Sequence, residues 1–293
     1  MARLLIVDGH AYAYRAFYAI RSLSSPIGRP TNAIYGFVKM LAKMRAAVSP
    51  THWIVVWDGG LSAERQQALP EYKAQRPEMP ADLGTQLDEI GRYLAAANVA
   101  TFCGDGIEAD DYIAFVAKAA AQSDWDVVIA SADKDFMQLV APGIGLLNPN
   151  DKSETIWTDE QVRAKTGVAP EQIVDWLSLV GDSVDNIPGV PGVGPKTAAE
   201  LLKQFGTIAG LYQRIDEVRS DRIRSALKAA EVAVQRNQAL VRLKVDFDHE
   251  FVADDLAVKA VDGARLAELY RGWGFKSLLA ELEAGQNRQQ NLI

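Results

Sequence analysis

The sequence predicts an α/β fold, a mostly parallel central sheet flanked by helices, followed by a helical second half. Three features predict it. Residues 3–7 (RLLIV), 53–57 (WIVVW) and 126–130 (DVVIA) are short, apolar, β-branched runs of the kind buried on both faces of a parallel sheet. Helical patterns separate them, the alternation expected of a sheet built from βαβ units. Each run is also followed closely by an aspartate, at Asp8, Asp58 and Asp133, and ligands of such sheets bind at the carboxyl ends of the strands.

Taken in order, Thr31 or Asn32 caps a helix over 33–47, and a second helix falls near 82–97. VATF at 99–102 reads as a further strand, and a helical pattern follows Glu108. Residues 60–81 are polar, with three prolines and the basic residues Arg65, Lys73 and Arg76. They read equally as a solvated surface loop or as a mobile basic element over a site. Beyond residue 158 the pattern gives helices over 159–166, 170–180, 196–205, 207–215 and 221–238. LVRLKVDFDHEF, residues 240–251, reads as a returning strand, and helices near 263–271 and 275–283 close the fold. The organisation expected is an α/β core over 1–180, a helical subdomain over 181–238, a segment over 239–283 packing back on the core, and a flexible polar tail over 284–293.

A chain of 293 residues with 48% hydrophobic content can bury a sizeable core. The single Cys103 excludes an internal disulfide, and three scattered histidines, His10, His52 and His249, make no zinc cluster. Any metal would be a hard, oxygen-seeking ion. Four apolar residues before Asp8 are too few for a signal peptide and no segment approaches a membrane span, so the expected location is cytoplasmic. A net charge of −7 argues against a nucleic-acid partner, unless a group of the acids is committed to metal ions.

Such a group exists. Asp8, Asp58, Glu108, Asp110, Asp111, Asp133, Asp135, Asp182 and Asp185 all stand at predicted element ends. Any one alone reads as a helix cap or turn residue, but the sheet geometry would bring several together. Crowded carboxylates raise one another's pKa and resist ionising without cations. A pair of Mg²⁺ or Mn²⁺ ions resolves that conflict and suits phosphodiester hydrolysis. NIPGVPGVGPKTAAELLKQFG, 186–206, adds a glycine-rich connection with Gly189, Gly192 and Gly194, then Pro195, Lys196 and Thr197 in a first helical turn. It reads either as an ordinary helix–helix turn or as a helix-hairpin-helix that grips a duplex backbone through exposed amides. Backbone contacts of that kind bind without reading sequence.

The stretches IVDGHAYAYRAFYA, NAIYGF, YKAQRP, IEADDYIA, SADKDF and VGDSVDNIPGVPGVGPKTAAELLKQFG, in this order from about residue 3 to 283, resemble the 5′-nuclease domain of bacterial DNA polymerase I within the flap endonuclease family. The resemblance implies a PIN-like resolvase-type core with a helix-hairpin-helix DNA-binding subdomain, expected as a monomer. The implied activity is a two-metal, structure-specific 5′-3′ exonuclease and 5′-flap endonuclease, acting on DNA and RNA primers at flaps, nicks and junctions in replication and repair. It assigns Asp8, Asp58, Glu108, Asp110, Asp111 and Asp133 to a first metal, some through water, and Asp135, Asp182 and Asp185 to a second. Lys73 and Arg76 match residues that contact the scissile phosphate, Tyr12 and Arg15 match contacts to the 5′ strand, and the hairpin implies a potassium ion on backbone carbonyls.

Departures are His10, where relatives often carry a small polar residue, and a shortage of basic residues between Asp58 and Lys73. The polymerase continues into further domains, so the chain is either a fragment or a stand-alone nuclease. QQNLI at the end resembles peptides that dock on the bacterial sliding clamp through residues such as Gln289, Leu292 and Ile293, or is a plain tail. Two other functions compete: an RNA-directed PIN-like nuclease, against which the hairpin argues, and a non-catalytic DNA-junction binder, against which the acids argue.

Overall fold

β1 (Arg3–Asp8) is buried from Leu4 to Asp8, as an apolar run must be when both of its faces are covered. Leu4 and Ile6 join Ile54, Ile113 and Ile129 in one core layer, while Leu5 and Val7 join Phe37, Val55 and Leu94 in the other. This two-residue alternation is why one short strand can hold two layers of helices. The structure is a computed structural model that describes residues 2–151 and 155–290.

In chain order β1 is followed by α1 (Gly9–Ala19), α2 (Asn32–Val48), β2 (His52–Trp57), α3 (Ala63–Ala68), α4 (Ala81–Ala96), β3 (Ala100–Cys103), α5 (Ala109–Gln122), β4 (Asp126–Ala130), β5 (Ile144–Leu147) and β6 (Ile156–Trp157). The sheet order is β3-β2-β1-β4-β5-β6, parallel throughout except for β6 against β5. From β1 the chain builds outward through β2 and β3 on one side, then crosses to β4 and β5 on the other. The order therefore reverses beside β1, and the crevice at the carboxyl ends of β1 and β4 is where such a sheet holds its ligand.

The second half runs α6 (Asp159–Thr166), α7 (Ile173–Val180), β7 (Gly181–Asp182), β8 (Ile187–Pro188), α8 (Pro195–Phe205), α9 (Ile208–Gln213), α10 (Asp221–Val241), α11 (Gly263–Trp273) and α12 (Lys276–Gln290). Helices α7 and α8 are joined by the small β7–β8 ladder and a glycine turn, giving a helix-hairpin-helix. The ladder is so tight at Gly189 that a Cβ there would lie 2.1 Å from the Val180 carbonyl oxygen. Asn237 of α10, 1% exposed, secures it by donating to the Ser178 and Pro188 carbonyls at 3.2 and 2.8 Å. Leu266, Tyr270, Trp273, Phe275 and Leu278 of the last two helices and the turn between them pack back on the core layer that contains Ile90 and Tyr93 of α4.

The fold class agrees with the sequence reading, with local differences. Residues 240–251 form no strand, because the Leu243 and Lys244 amides donate to the side chains of Gln138 and Asp111 instead of to a neighbouring backbone. Helix α1, strands β5 and β6, and helix α3 inside the polar 60–81 stretch are additions. That stretch is no wholly solvated loop, since Arg65, Leu69, Tyr72 and Lys73 are buried. Helix α12 continues to Gln290 where an end near 283 was expected. Leu292 and Ile293 lie outside the described residues, as does the side chain of Gln289.

Asn237→Ala removes two buried hydrogen bonds and leaves two carbonyls without these donors. We expect it to lower the free energy of unfolding by about 2 kcal/mol, read from urea denaturation.

Candidate active site and metal centre

Asp8 ends β1 and also starts α1, its Oδ1 accepting the Ala11 amide at 3.1 Å. Its Oδ2 accepts the hydroxyl of Ser131, which is fully buried and itself accepts the Asp133 amide, so one serine ties the ends of β1 and β4 together. Asp58 follows β2, and its amide donates to Nδ1 of His10, whose ring packs edge-on to Trp57. His10 therefore holds the Asp58 turn in place. Asp8, Asp58, Asp110 and Asp133 line a cleft of about 540 Å³, with His10, Tyr14 and Arg76 on its walls.

The other acids lie deeper or to one side. Asp133 caps the 3₁₀ turn Lys134–Leu139 through the Asp135 amide and so carries Asp135 inward. Asp135, Asp182 and Asp185 each bring a carboxylate oxygen within 4.8 Å of the others, and all three are buried. Oδ1 of Asp135 is buried without a hydrogen-bond partner. An orphaned carboxylate oxygen within a buried group of three is the donor set that a hard divalent ion takes, so the residues present fit one.

Basic side chains from 60–81 answer these acids. Lys73 is buried and its Nζ donates to Glu108 Oε2, while Arg76 donates to Asp185 Oδ1 at 2.7 Å. Lys73 holds φ at 55°, a costly conformation for an L side chain, and its amide donates to the Asp185 carbonyl at 3.0 Å. The loop is thus pinned to the 182–185 turn at two levels. Glu108 also accepts the Tyr72 hydroxyl and the Ser62 amide, each at 3.0 Å. Lys134 pairs with Asp182 at 3.1 Å.

Ionisation follows this geometry. Burial pushes Asp8 up to about 6, against the opposing pull of the Ala11 amide and Ser131. Burial followed by the charge of Asp133 raises both Asp110 and Asp135 well above the ordinary carboxylate range, and burial raises Asp133 as well. Glu108 goes the other way: burial pushes it up, but Lys73 and Arg65 outweigh that and hold it at about 2.

Of the remaining expected residues, Asp111 is directed to Arg65, which donates to both of its oxygens. Arg15 donates to Asn150 Oδ1 and the Pro149 carbonyl. Tyr12 is 3% exposed and packs in the core, whereas Tyr14 and Tyr18 stack on the outer side of α1 with centroids 6.4 Å apart. In the hairpin Gly192 has φ 80° beside the guanidinium of Arg222, Gly194 precedes Pro195 at the start of α8, Lys196 is exposed and Thr197 is half-buried. Sequence reasoning missed Ser131, Tyr72 and Lys134, and placed Arg65 only as one of the basic residues of the 60–81 stretch, with no partner assigned. Ser131 and Lys134 sit inside SADKDF and Tyr72 inside YKAQRP, but neither stretch reveals which partner each side chain meets.

Two family descriptions cover most of the chain: "5′-3′ exonuclease, N-terminal resolvase-like domain" matches residues 3–167, and "5′-3′ exonuclease, C-terminal SAM fold" matches residues 168–264. The chain belongs to the 5′-3′ exonuclease family. A 5′-3′ exonuclease of Aquifex aeolicus is 37% identical over 283 residues, covering 97% of this chain and 96% of its own. DNA polymerase I of Bacillus caldotenax is 36% identical over 290 residues, covering 98% of this chain but 33% of its own, so the chain spans about a third of that relative's length. Among solved structures, the 5′-exonuclease of bacteriophage T5 with divalent zinc ions superposes with a TM-score of 0.68 at 26% identity, covering 82% of this chain and 89% of that one. A variant T5 flap endonuclease in a pseudo-enzyme–product complex with DNA and metal ions gives 0.66 at 26% identity, over 82% and 88%. These likenesses support the 5′-3′ exonuclease and flap endonuclease function that the sequence motifs imply.

The opposed ionisation of this 5′-3′ exonuclease fixes its response to pH in a chelator. Native Asp8 keeps a proton up to about 6 that the unfolded chain has already released, so stability falls as pH rises through about 6. Glu108 stays ionised down to about 2, so its contribution is lost as pH falls from about 4.5 toward 2. We expect the melting temperature in EDTA to peak between these limits, and added Mn²⁺ at neutral pH to raise it.

Proposed function

We propose that this chain is a divalent-metal-dependent 5′-3′ exonuclease and 5′-flap endonuclease that hydrolyses phosphodiester bonds of DNA and of RNA primers at junctions. The observation that carries the proposal is the meeting of acids from five separate segments at one sheet edge, with the unpartnered oxygen of Asp135 among them. Asp135, Asp182 and Asp185 would hold one ion. Asp8, Asp58, Asp110 and Asp133 would hold another, with Glu108 beside them. Two such ions, Mg²⁺ or Mn²⁺, supply an activated water and neutralise charge on the phosphoryl oxygens.

The chain's own residues do the positioning. Ser131 keeps Asp8 and Asp133 at a fixed separation, and His10 keeps Asp58 turned to the cleft. Lys73 and Arg76 stand beside the carboxylates as cationic donors, suited to the charge that builds on a scissile phosphate. The exposed amides at the start of α8, with Gly189, Gly192, Gly194, Lys196 and Thr197, would grip a duplex backbone, and a potassium ion on the hairpin carbonyls belongs to the same proposal. Arg15, exposed on α1, is assigned to the 5′ strand, and Tyr12, buried in the core, is packed beneath that face.

No helix among the described residues is long and apolar enough to cross a membrane. A cytoplasmic monomer working in primer removal and repair, with its C-terminal end on a sliding clamp, completes the proposal. Deleting residues 289–293 should then weaken clamp binding, and unchanged affinity would remove that part.

The deciding measurement is cleavage of a labelled 5′-flap duplex with and without Mg²⁺. Asp185→Asn should lose at least about 100-fold in rate, and metal-independent cutting or full activity in the variant would overturn the proposal. Lys73→Ala should lower kcat by about 100-fold with KM little changed, the pattern of a contact strengthened in the transition state.

A further inference from the structure

We propose that Arg65 is a positioning residue for the hydrolytic site, and that Asp111 is its anchor, not a metal ligand. The inference rests on the function proposed above. Arg65 is carried by α3, inside the stretch with few basic residues, yet it is 4% exposed. A guanidinium offers five N–H groups, and four hydrogen bonds hold this one. Nε donates to the Leu240 carbonyl at 2.9 Å and Nη2 to the Arg242 carbonyl at 3.0 Å, at the end of α10. Nη1 and Nη2 form a fork with Asp111 Oδ2 and Oδ1 at 2.8 and 2.7 Å. Nη1 also lies 3.2 Å from Glu108 Oε1.

Such a group has no freedom to turn. A buried guanidinium is tolerated only when its donors are met, and four hydrogen bonds spread over its three nitrogens fix its plane. Asp111 is equally committed, since Oδ1 takes the Lys244 amide at 2.9 Å besides Arg65. Its neighbour Asp110, one residue earlier on α5 and so about 100° around the helix, faces the cleft instead. The two adjacent aspartates have divided their work: Asp110 serves the cleft and Asp111 serves Arg65. Through Glu108 the guanidinium reaches further, because Glu108 takes Arg65 on Oε1 and Lys73 on Oε2. Arg65 therefore sets the carboxylate that sets Lys73, and it ties both to the end of α10.

The test uses single-turnover cleavage of a 5′-flap duplex, flap-duplex binding in EDTA, and Mn²⁺ titration calorimetry. Arg65→Lys keeps a charge for Asp111 but cannot reach the other acceptors. It should fold, lose about 10- to 100-fold in single-turnover rate, and bind flap duplex within about threefold of wild type. Arg65→Ala should regain part of its rate when methylguanidinium is added. Asp111→Asn should lose rate similarly while its Mn²⁺ isotherm matches wild type, unlike that of Asp135→Asn. A wild-type rate in Arg65→Lys, or an Asp111→Asn isotherm as depleted as that of Asp135→Asn, overturns the proposal. If the Arg65 variants fail to fold, Asp111→Asn decides alone by the same two readouts. Wild-type protein that does not cut the flap duplex in Mg²⁺ would instead sink the proposed function, and the Mn²⁺ isotherms would still decide the role of Asp111.

Discussion

The structure turns on an electrostatic conflict at the carboxyl edge of its sheet. A parallel sheet directs the ends of β1, β2 and β4 into one crevice, and this chain places an aspartate at or just beyond each of them. Burial and mutual repulsion then drive Asp8, Asp110, Asp133 and Asp135 away from their charged forms. The surrounding architecture answers that cost through Ser131, the backbone amides at helix starts, and lysine and arginine side chains brought in from 60–81. Like-charge crowding that would be an error in a structural core is the arrangement a bound cation would relieve.

The answer is uneven across the site, and the unevenness gives it direction. Glu108 is compensated on both oxygens and remains ionised under strongly acidic conditions, whereas Asp135 keeps one oxygen with nothing to bind. Between these extremes stand Asp182 and Asp185, each paired with a cation, Lys134 and Arg76 respectively. Lys73 stands on the boundary, reaching Glu108 with its side chain and Asp185 with its backbone.

Much of this was legible in the sequence because it depends on local rules. Three apolar runs ending in aspartates predicted the sheet and the edge that bears the site, and GVPGVGPK predicted the hairpin turn and the start of α8. The misses share a physical cause. LVRLKVDFDHEF has a strand's composition, but Gln138 and Asp111, more than 100 residues earlier, take its amides and leave no ladder to form. Arg65 looks like a solvated cation until Leu240, Arg242 and Asp111 surround it. Nothing within a few residues of either feature signals those partners, so only the assembled fold reveals them.

Helix α10 gives the molecule a measure of length. Its first turn holds Arg222 against Gly192 of the hairpin, and its last carbonyls are held by Arg65 beside the acids. From Arg222 to Leu240 the helix rises about 27 Å at 1.5 Å per residue. That is about eight base-pair steps of a duplex. If the hairpin grips a backbone as proposed, the interval from that grip to the cleft is written in the number of turns of a stiff rod, and no flexible loop has to keep it constant.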